Sequence, residues 1–305
     1  MAVFVSASDE GSGANHLCQF EVTGWLAPED DWSRFFAPAW QSRVLDGPPR
    51  IPYLHVTEIR SKKFREKYGL TQLAADNRLD EAASVIGAMG SLYPVRIALD
   101  GGLFRQVFAS HKLLAVTGGI KRYEPDYYAF MTYAYAVLCR VQIRHPEAEK
   151  VDFIVENKAG ITKHLSGFYD SLPNALRHIG REDLIHLVGE FIPGSKERVP
   201  LQAADFLCWH TQRADAQTLT LQDWRRWVPM ANKKGFSFAV TRDLLTGLAD
   251  AFKEHGEKQG AANERTIRVR QLRQNNARSD ESSTRRDKGR TRRGKGRNNK
   301  KKAKG

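Results

Sequence analysis

Residues 3–13 read VFVSASDEGSG and are expected to start the sheet around which the chain folds. Residues 3–5 form a short apolar run, typical of a buried strand. The run leads to Asp9 and Glu10 and then to a glycine-rich turn at residues 11–13. Residues 17–26 alternate well enough for a second strand, so the opening of the chain predicts a hairpin.

The rest of the body alternates between helical and extended patterns. Helical spacing of apolar residues predicts helices at 30–45, 79–89, 125–143, 161–179, 199–209, 221–228 and 240–252. Short apolar runs predict strands at 95–99, 104–108, 151–155 and 184–191, and residues 51–59 are expected to be irregular or a short strand. This order predicts a mixed α/β sheet flanked by helices.

The net charge of +13 is confined to the C-terminal part of the chain. Residues 261–305 contain 17 Lys and Arg against 4 Asp and Glu, whereas residues 1–260 contain 31 of each class. A segment with so few apolar residues cannot bury enough surface to offset its ordering entropy. We therefore expect one folded domain at residues 1–256 and a disordered basic tail at residues 257–305.

The basic residues of the tail are suited to a polyanionic partner. Flexible polycations bind phosphate backbones by releasing counter-ions, without reading sequence, which predicts RNA or DNA as the partner. The alternatives are an acidic protein and a tail that only improves solubility. The predicted nucleic-acid-binding residues of the tail are Arg285, Arg286, Arg292, Arg293, Lys300, Lys301 and Lys302.

The composition also excludes several classes of protein. No run of 18 apolar residues occurs, so no membrane span is expected, and the N-terminus lacks a signal-peptide pattern. Cys18, Cys139 and Cys208 are widely spaced and odd in number, which argues against a zinc ribbon or a disulfide framework. Reduced, mostly buried thiols and a cytoplasmic location are expected. The oligomeric state is left open.

Three acids are placed where a shared site would form. Asp9 ends the first predicted strand, Glu156 ends the strand at 151–155, and Asp205 lies one to two turns into the helix that starts at residue 199. Functional groups of α/β sheets gather at strand ends. Grouped carboxylates stay ionised together when a cation lies between them. The three acids are therefore predicted catalytic ligands for one or two Mg²⁺ or Mn²⁺ ions, which would activate water at a phosphodiester.

Neighbouring residues complete this predicted site. His55 and Glu58 are three residues apart and would face the same way on a helical turn. His55 is predicted to orient water or transfer a proton, and Glu10 or Glu58 to be a further ligand. Lys158 and Lys163 are predicted to contact phosphate.

Each assignment has a plainer alternative. The acids at 9–10 also suit an exposed turn, and Glu156 a solvated strand end. His55 with Glu58 also suits a capping or surface pair, and the lysines a solvated helix face. Asp205 also suits a buried structural hydrogen bond.

These pieces in this order resemble the family called domain of unknown function 3800. The matching stretches are DEGSG at 9–13, HVTE at 55–58, VE at 155–156 and LQAAD at 201–205. The family has Asp-Glu-Ser-Gly at the first of these, so this chain carries an additional glycine, and aspartate is commoner at the position of Glu156. The resemblance spans about residues 3–213. It implies a ribonuclease-H-like fold and a metal-dependent nuclease.

The first functional prediction is therefore a two-metal, carboxylate-based nuclease whose tail holds nucleic acid. The alternative is a non-catalytic nucleic-acid-binding protein whose acids are structural. A third possibility is a glycoside hydrolase that uses a pair of carboxylates without metal, for which the sequence shows no aromatic sugar platform.

Overall fold

A computed structural model describes residues 2–12, 19–110, 125–157 and 162–250. Within these residues six strands form one sheet in the order β5-β4-β1-β2-β3-β6. Strand β2 is antiparallel to both β1 and β3, whereas β4 is parallel to β1 and β5, and β6 is parallel to β3. The predicted mixed α/β sheet flanked by helices is confirmed. The strands are β1 (Ala2–Ser12), β2 (Gln19–Pro28), β3 (Tyr93–Asp100), β4 (Ala148–Glu156), β5 (Val188–Gly194) and β6 (Phe236–Ala239).

Helices cover both faces of this sheet. They are α1 (Ala37–Trp40), α2 (Val56–Arg60), α3 (Lys62–Tyr68), α4 (Gln72–Ala88), α5 (Gly101–Ser110), α6 (Pro125–Arg144), α7 (Thr162–Tyr169), α8 (Leu172–His178), α9 (Val199–Asp215) and α10 (Leu221–Ala231). Helix α1 lies between two π-helical stretches, Asp31–Phe36 and Gln41–Leu45, and a 3-10 helix covers Glu182–Leu187. Residues 242–250 are also helical.

The chain divides into a compact unit of residues 1–246 and a second unit of residues 247–305. The predicted tail at 257–305 lies outside the described residues. Within the described part of the chain, every helix is too short or too polar to span a bilayer. Cys139 and Cys208 are free thiols, the second of them buried, and Cys18 is outside the described residues.

One face of the sheet packs against α9 through small and aromatic side chains. Ala203 of α9 is fully buried, and its carbonyl accepts a hydrogen bond of 2.9 Å from the indole of Trp25 on β2. Trp32 donates a second indole hydrogen bond, of 3.1 Å, to the carbonyl of Val5 on β1. Because buried tryptophan combines a large apolar area with one polar atom that needs a partner, these bonds fix the helices over the sheet.

The opposite face packs against α6. The buried Tyr133 hydroxyl lies 2.8 Å from the Ser6 hydroxyl of β1. Gly24 of β2 makes this approach possible, because a Cβ there would lie 2.4 Å from the same hydroxyl and 2.1 Å from the Ala7 carbonyl oxygen. The two faces of β1 therefore pack against different helices, with Ser6 facing α6 and Ala7 facing α9.

The predicted strand at residues 104–108 is wrong, because this segment belongs to helix α5. Phe104, Val107 and Phe108 are buried at steps of three and four residues, which is a helical spacing. The carboxylate of Asp100 accepts a hydrogen bond of 2.9 Å from the Leu103 backbone and so caps the helix start.

Other boundaries also differ from the sequence prediction. Residues 184–187 of the strand predicted at 184–191 belong to a 3-10 helix, and the strand begins at Val188. The segment at 51–59 ends in the short helix α2, which continues to Arg60, and the helical region at 161–179 is divided into α7 and α8. Strand β6 is not among the strands predicted from the sequence, because four residues are too few for an alternating pattern to be recognised.

A buried ion-pair network connects α10 to α4 and α2. Arg226, with only 2% of its side chain exposed, donates to Asp80 at 2.6 Å, to Asp223 at 3.1 Å and to Asp76 at 3.3 Å. Asp223 also binds Arg60, the last residue of α2. Despite burial, hydrogen bonds from Thr220 and Arg60 and the charge of Arg226 hold the pKa of Asp223 below its ordinary value. The network therefore anchors the helix that begins next to His55.

Candidate functional site

Asp9 and Glu156 lie at equivalent positions on neighbouring strands. Ser8 of β1 pairs with Val155 of β4 in a parallel register, and each acid is the next residue along its strand. Parallel strands lie about 4.8 Å apart, and side chains alternate between the two faces of a sheet. Both acids are therefore on the face of Ala7, which is the face covered by α9.

Asp205 reaches the same region from α9. Its Oδ2 accepts a hydrogen bond of 2.8 Å from the backbone N–H of Val56, the first residue of α2. Its Oδ1 lies 3.4 Å from Nε2 of His55, and 13% of its side chain is exposed. The carboxylate thus holds the start of α2 and orients the imidazole that precedes it.

Gln202 holds the segment before His55 against α9. Its buried side-chain oxygen accepts hydrogen bonds of 2.9 Å from the Leu54 backbone and 2.8 Å from the Trp40 indole. Its amide nitrogen donates to the Glu197 carbonyl at 3.2 Å. Because both the oxygen and the nitrogen of this amide have partners, the glutamine rigidly couples α9 to the loop that carries His55.

A small cavity joins the predicted acids. Its volume is about 10 Å³, room for about one water molecule or an ion of similar size. Its lining residues are Asp9, Leu54, His55, Glu156, Lys196, Leu201, Gln202 and Asp205. The structure therefore brings together four residues that the sequence singled out, Asp9, His55, Glu156 and Asp205, from distant parts of the chain.

Lys196 is not predicted from the sequence, and it connects the cavity to Glu58. Its ammonium donates a hydrogen bond of 2.5 Å to Glu58, whose other oxygen accepts one of 2.6 Å from the Tyr53 hydroxyl. Burial alone would raise the pKa of Glu58, but the hydrogen bonds from Lys196 and Tyr53 hold it below its ordinary value. Glu58 does not line the cavity, since both of its oxygens face these two partners.

The side chains of the remaining predicted site residues are outside the part of the chain that the structure describes. Glu10 pairs with Val22 in the β1–β2 ladder, and its side chain lies outside the described part of the chain. Lys163 lies in α7, and its side chain also lies outside that part, as does the whole of Lys158. The basic residues of the tail, from Arg285 to Lys302, are outside it as well.

The environment of His55 favours the neutral form of its imidazole, because its pKa is lowered. Burial is the main cause that lowers its pKa below the ordinary value, and the positive charge of Lys196 lowers it further. The negative charges of Glu58, Asp9 and Glu156 raise this pKa, but they do not reverse the shift. Its buried Nδ1 has no hydrogen-bond partner among the described residues. A neutral imidazole in this position can take a proton from a water molecule.

Replacing Lys196 with glutamine should raise the pKa of His55. The substitution removes a positive charge that disfavours the imidazolium, and it leaves Glu58 as an uncompensated negative neighbour. NMR titration of the His55 ring signal, assigned with His55→Gln, measures the shift directly. Lys196→Arg keeps the charge and is expected to keep the wild-type titration. An unchanged midpoint in Lys196→Gln would show that Lys196 does not set the protonation of His55.

The donor set of the cavity fits a hard divalent cation in its chemistry. Asp9, Glu156 and Asp205 offer carboxylate oxygens, the ligands that Mg²⁺ and Mn²⁺ prefer. Among the described residues, however, no group of three or more His, Cys, Asp or Glu side chains is already arranged around a metal position. The hydrogen bond from Val56 also occupies one oxygen of Asp205.

Comparison with known proteins gives no further assignment, since no family model, no curated protein and no solved structure matches the chain.

Proposed function

We propose that this chain is a metal-dependent nuclease, as its resemblance to the domain of unknown function 3800 family implies, acting at the cavity between β1, β4 and α9. The observation that carries the proposal is that Asp9, Glu156 and Asp205 line one cavity together with His55. Oxygen donors that converge beside a potential general base suit the hydrolysis of a phosphodiester.

The strand order supports a ribonuclease-H-like fold for this nuclease. In that fold, the first three strands form an antiparallel meander, and two further parallel strands extend the sheet beyond the first strand. Here β1, β2 and β3 form the meander, and β4 and β5 follow on the other side of β1. Strand β6 is an addition next to β3.

In the proposed mechanism, Asp9, Glu156 and Asp205 hold one or two Mg²⁺ or Mn²⁺ ions. A bound ion supplies an acidified water and charge stabilisation for the phosphate. His55 would orient an attacking water and accept a proton at its imidazole, while Asp205 fixes the orientation of that ring. Lys196 places a positive charge at the cavity wall, where it would attract the scissile phosphate.

Substrate binding in this proposal depends on the basic residues predicted from the sequence. The tail would raise the local concentration of RNA or DNA by binding the phosphate backbone without sequence preference. Lys158 and Lys163, close in sequence to Glu156, would contact phosphates near the site.

A second candidate function is favoured by one specific contact. The hydrogen bond from Val56 to Asp205 gives this carboxylate a structural role at the start of α2. In a non-catalytic nucleic-acid-binding protein that role would be sufficient, and the tail would supply the affinity.

A cleavage assay with the full-length chain separates the two candidates. Labelled single- and double-stranded RNA and DNA are incubated with Mn²⁺ or Mg²⁺, with and without chelator, beside a chain truncated after residue 256. A nuclease is expected to cleave at least one of these substrates, and only when metal is present. Truncation should lower the affinity for nucleic acid more than it lowers the cleavage rate at saturating substrate. Binding that depends wholly on the tail, with no cleavage under either metal, would establish the second candidate instead.

A further inference from the structure

A second cavity lies at the opposite end of the sheet from the acidic site. Its volume is about 440 Å³, and it opens where β1 and β3 begin and β2 ends. Phe4 lines it, five residues before Asp9 on the same strand. At about 3.4 Å per residue the two positions are roughly 17 Å apart, so the cavities are separate. Its lining residues are Phe4, Leu26, Ala27, Pro28, Gly90, Ser91, Leu92, Tyr93, Arg140, His145, Lys233 and Lys234.

The charged side chains that line this cavity are all basic. They are Arg140, Lys233 and Lys234, with His145 as a fourth potential cation, and no carboxylate is among the described lining residues. His145 itself lies 3.7 Å from Glu147, which does not line the cavity. The Lys233 ammonium is held in place by the Met89 carbonyl at 2.6 Å. These cations come from α6 and from the segment after α10, so the tertiary fold brings them together.

Two of these cations have no acidic partner among the residues that the structure describes. Arg140 has its guanidinium 4.1 Å from the centre of the Tyr93 ring, and no carboxylate contacts it in the described part of the chain. The same holds there for the exposed Lys234. By contrast, Arg226, Arg96 and Arg181 each contact aspartate or glutamate. A half-buried guanidinium that stacks on an aromatic ring leaves its N–H groups available for an anion.

The donors, the volume and the apolar walls of the cavity indicate which kind of anion would bind there. Convergent arginine and lysine donors without an acid favour phosphate, since guanidinium N–H groups match phosphate oxygens in pairs. The volume exceeds the need of a phosphate alone and lies within the range of small-molecule sites. Leu26, Pro28 and Leu92 supply apolar walls suited to a base and sugar.

We propose that this basic cavity is a nucleoside-phosphate-binding site, distinct from the acidic site. Arg140 and Lys234 hold the phosphate, and the apolar walls receive the nucleoside. The ligand is either a free mononucleotide or the phosphorylated end of a nucleic-acid strand. The proposal does not require catalysis at Asp205, so its test is independent of cleavage.

Equilibrium binding to the full-length chain, in the presence of chelator, tests this site. The probes are adenosine 5′-monophosphate, adenosine and inorganic phosphate. Arg140→Gln and Lys234→Gln should each weaken binding of the monophosphate by about 10-fold, the effect of losing one charge-assisted hydrogen bond. Arg144→Gln is the matched control, because Arg144 is exposed on the same helix, one turn further on, and does not line the cavity. It should bind within about 2-fold of the wild type.

Each outcome decides the proposal. Equal affinities for Arg140→Gln, Lys234→Gln and Arg144→Gln would overturn it, because binding would then depend only on overall charge. Equal affinities for adenosine and its monophosphate would show that the site does not recognise the phosphate. If inorganic phosphate is the only probe that binds, the site does not recognise the nucleoside. Comparing 5′-phosphorylated with 5′-hydroxyl oligonucleotides distinguishes a strand end from a free nucleotide. Unfolding transitions of all variants identify any loss that results from misfolding.

Discussion

Replacing Asp205 with asparagine should reduce metal-dependent cleavage by more than about 100-fold, since even residues that only support metal ligands contribute 10–100-fold. Asparagine keeps an oxygen that can accept the hydrogen bond from Val56. It removes the negative charge that would bind a cation and that lies 3.4 Å from His55. The substitution therefore tests the charge of the carboxylate while keeping the hydrogen bond that supports the fold.

Single-turnover cleavage at saturating Mn²⁺ measures this effect. Glu190→Gln removes an acid from β5 that is 73% exposed and outside the cavity, and should leave the rate unchanged. The free energy of unfolding of Asp205→Asn should remain close to that of the wild type. If Asp205→Asn cleaves normally, Asp205 has no part in catalysis. If it unfolds while Glu190→Gln does not, its main role is to hold α2.

Replacing Arg226 with methionine should destabilise the fold by about 3–5 kcal/mol, the usual cost of removing one partner from a buried ion pair. Arg226 and Asp223 are both almost fully buried, at 2% and 3% side-chain exposure. The substitution leaves Asp223 with Arg60 as its remaining basic partner among the described residues, and it removes the contacts to Asp76 and Asp80. Methionine retains the apolar length of the side chain, so the loss reports charge rather than packing.

Urea unfolding monitored by circular dichroism gives the free energy for this comparison. Arg225→Met is the matched control, because the neighbouring arginine is exposed on the same helix and should change stability by less than about 0.5 kcal/mol. A similar small loss in Arg226→Met would mean that its buried contacts contribute little net stability. Because Arg60 ends the helix that follows His55, we also expect Arg226→Met to broaden the NMR signal of the His55 ring.

Three acids of the site can be predicted from the amino-acid sequence alone. Glu156 follows an apolar run directly, and Asp9 follows one after three small residues, so both can be placed near strand ends even if the predicted boundaries are wrong by one or two residues. Asp205 lies among apolar neighbours on a helix with Pro200 in its first turn, so the sequence itself indicates that this carboxylate needs a buried partner. The parallel pairing of β1 with β4, which brings Asp9 beside Glu156, is shown only by the tertiary structure.

Other parts of the site depend on contacts that no local pattern contains. Lys196 lies in a short loop, and only tertiary structure shows that it reaches Glu58 and the cavity. The basic cavity likewise gathers Arg140 and Lys234 from distant segments. The helix α5 is a different case, because its three-and-four spacing and the capping Asp100 indicate a helix, whereas its aromatic residues favour a strand.

The in-register pairing of Ser8 with Val155 makes the chain unequally tolerant of changes in length. One residue inserted within β1 before Asp9 would rotate that acid to the side of the sheet that Tyr133 occupies, because side chains alternate with a period of two. An insertion in a surface loop would leave both strands in phase. Variation in length within a population of related chains should therefore spare the strand interiors and accumulate at the connections between them.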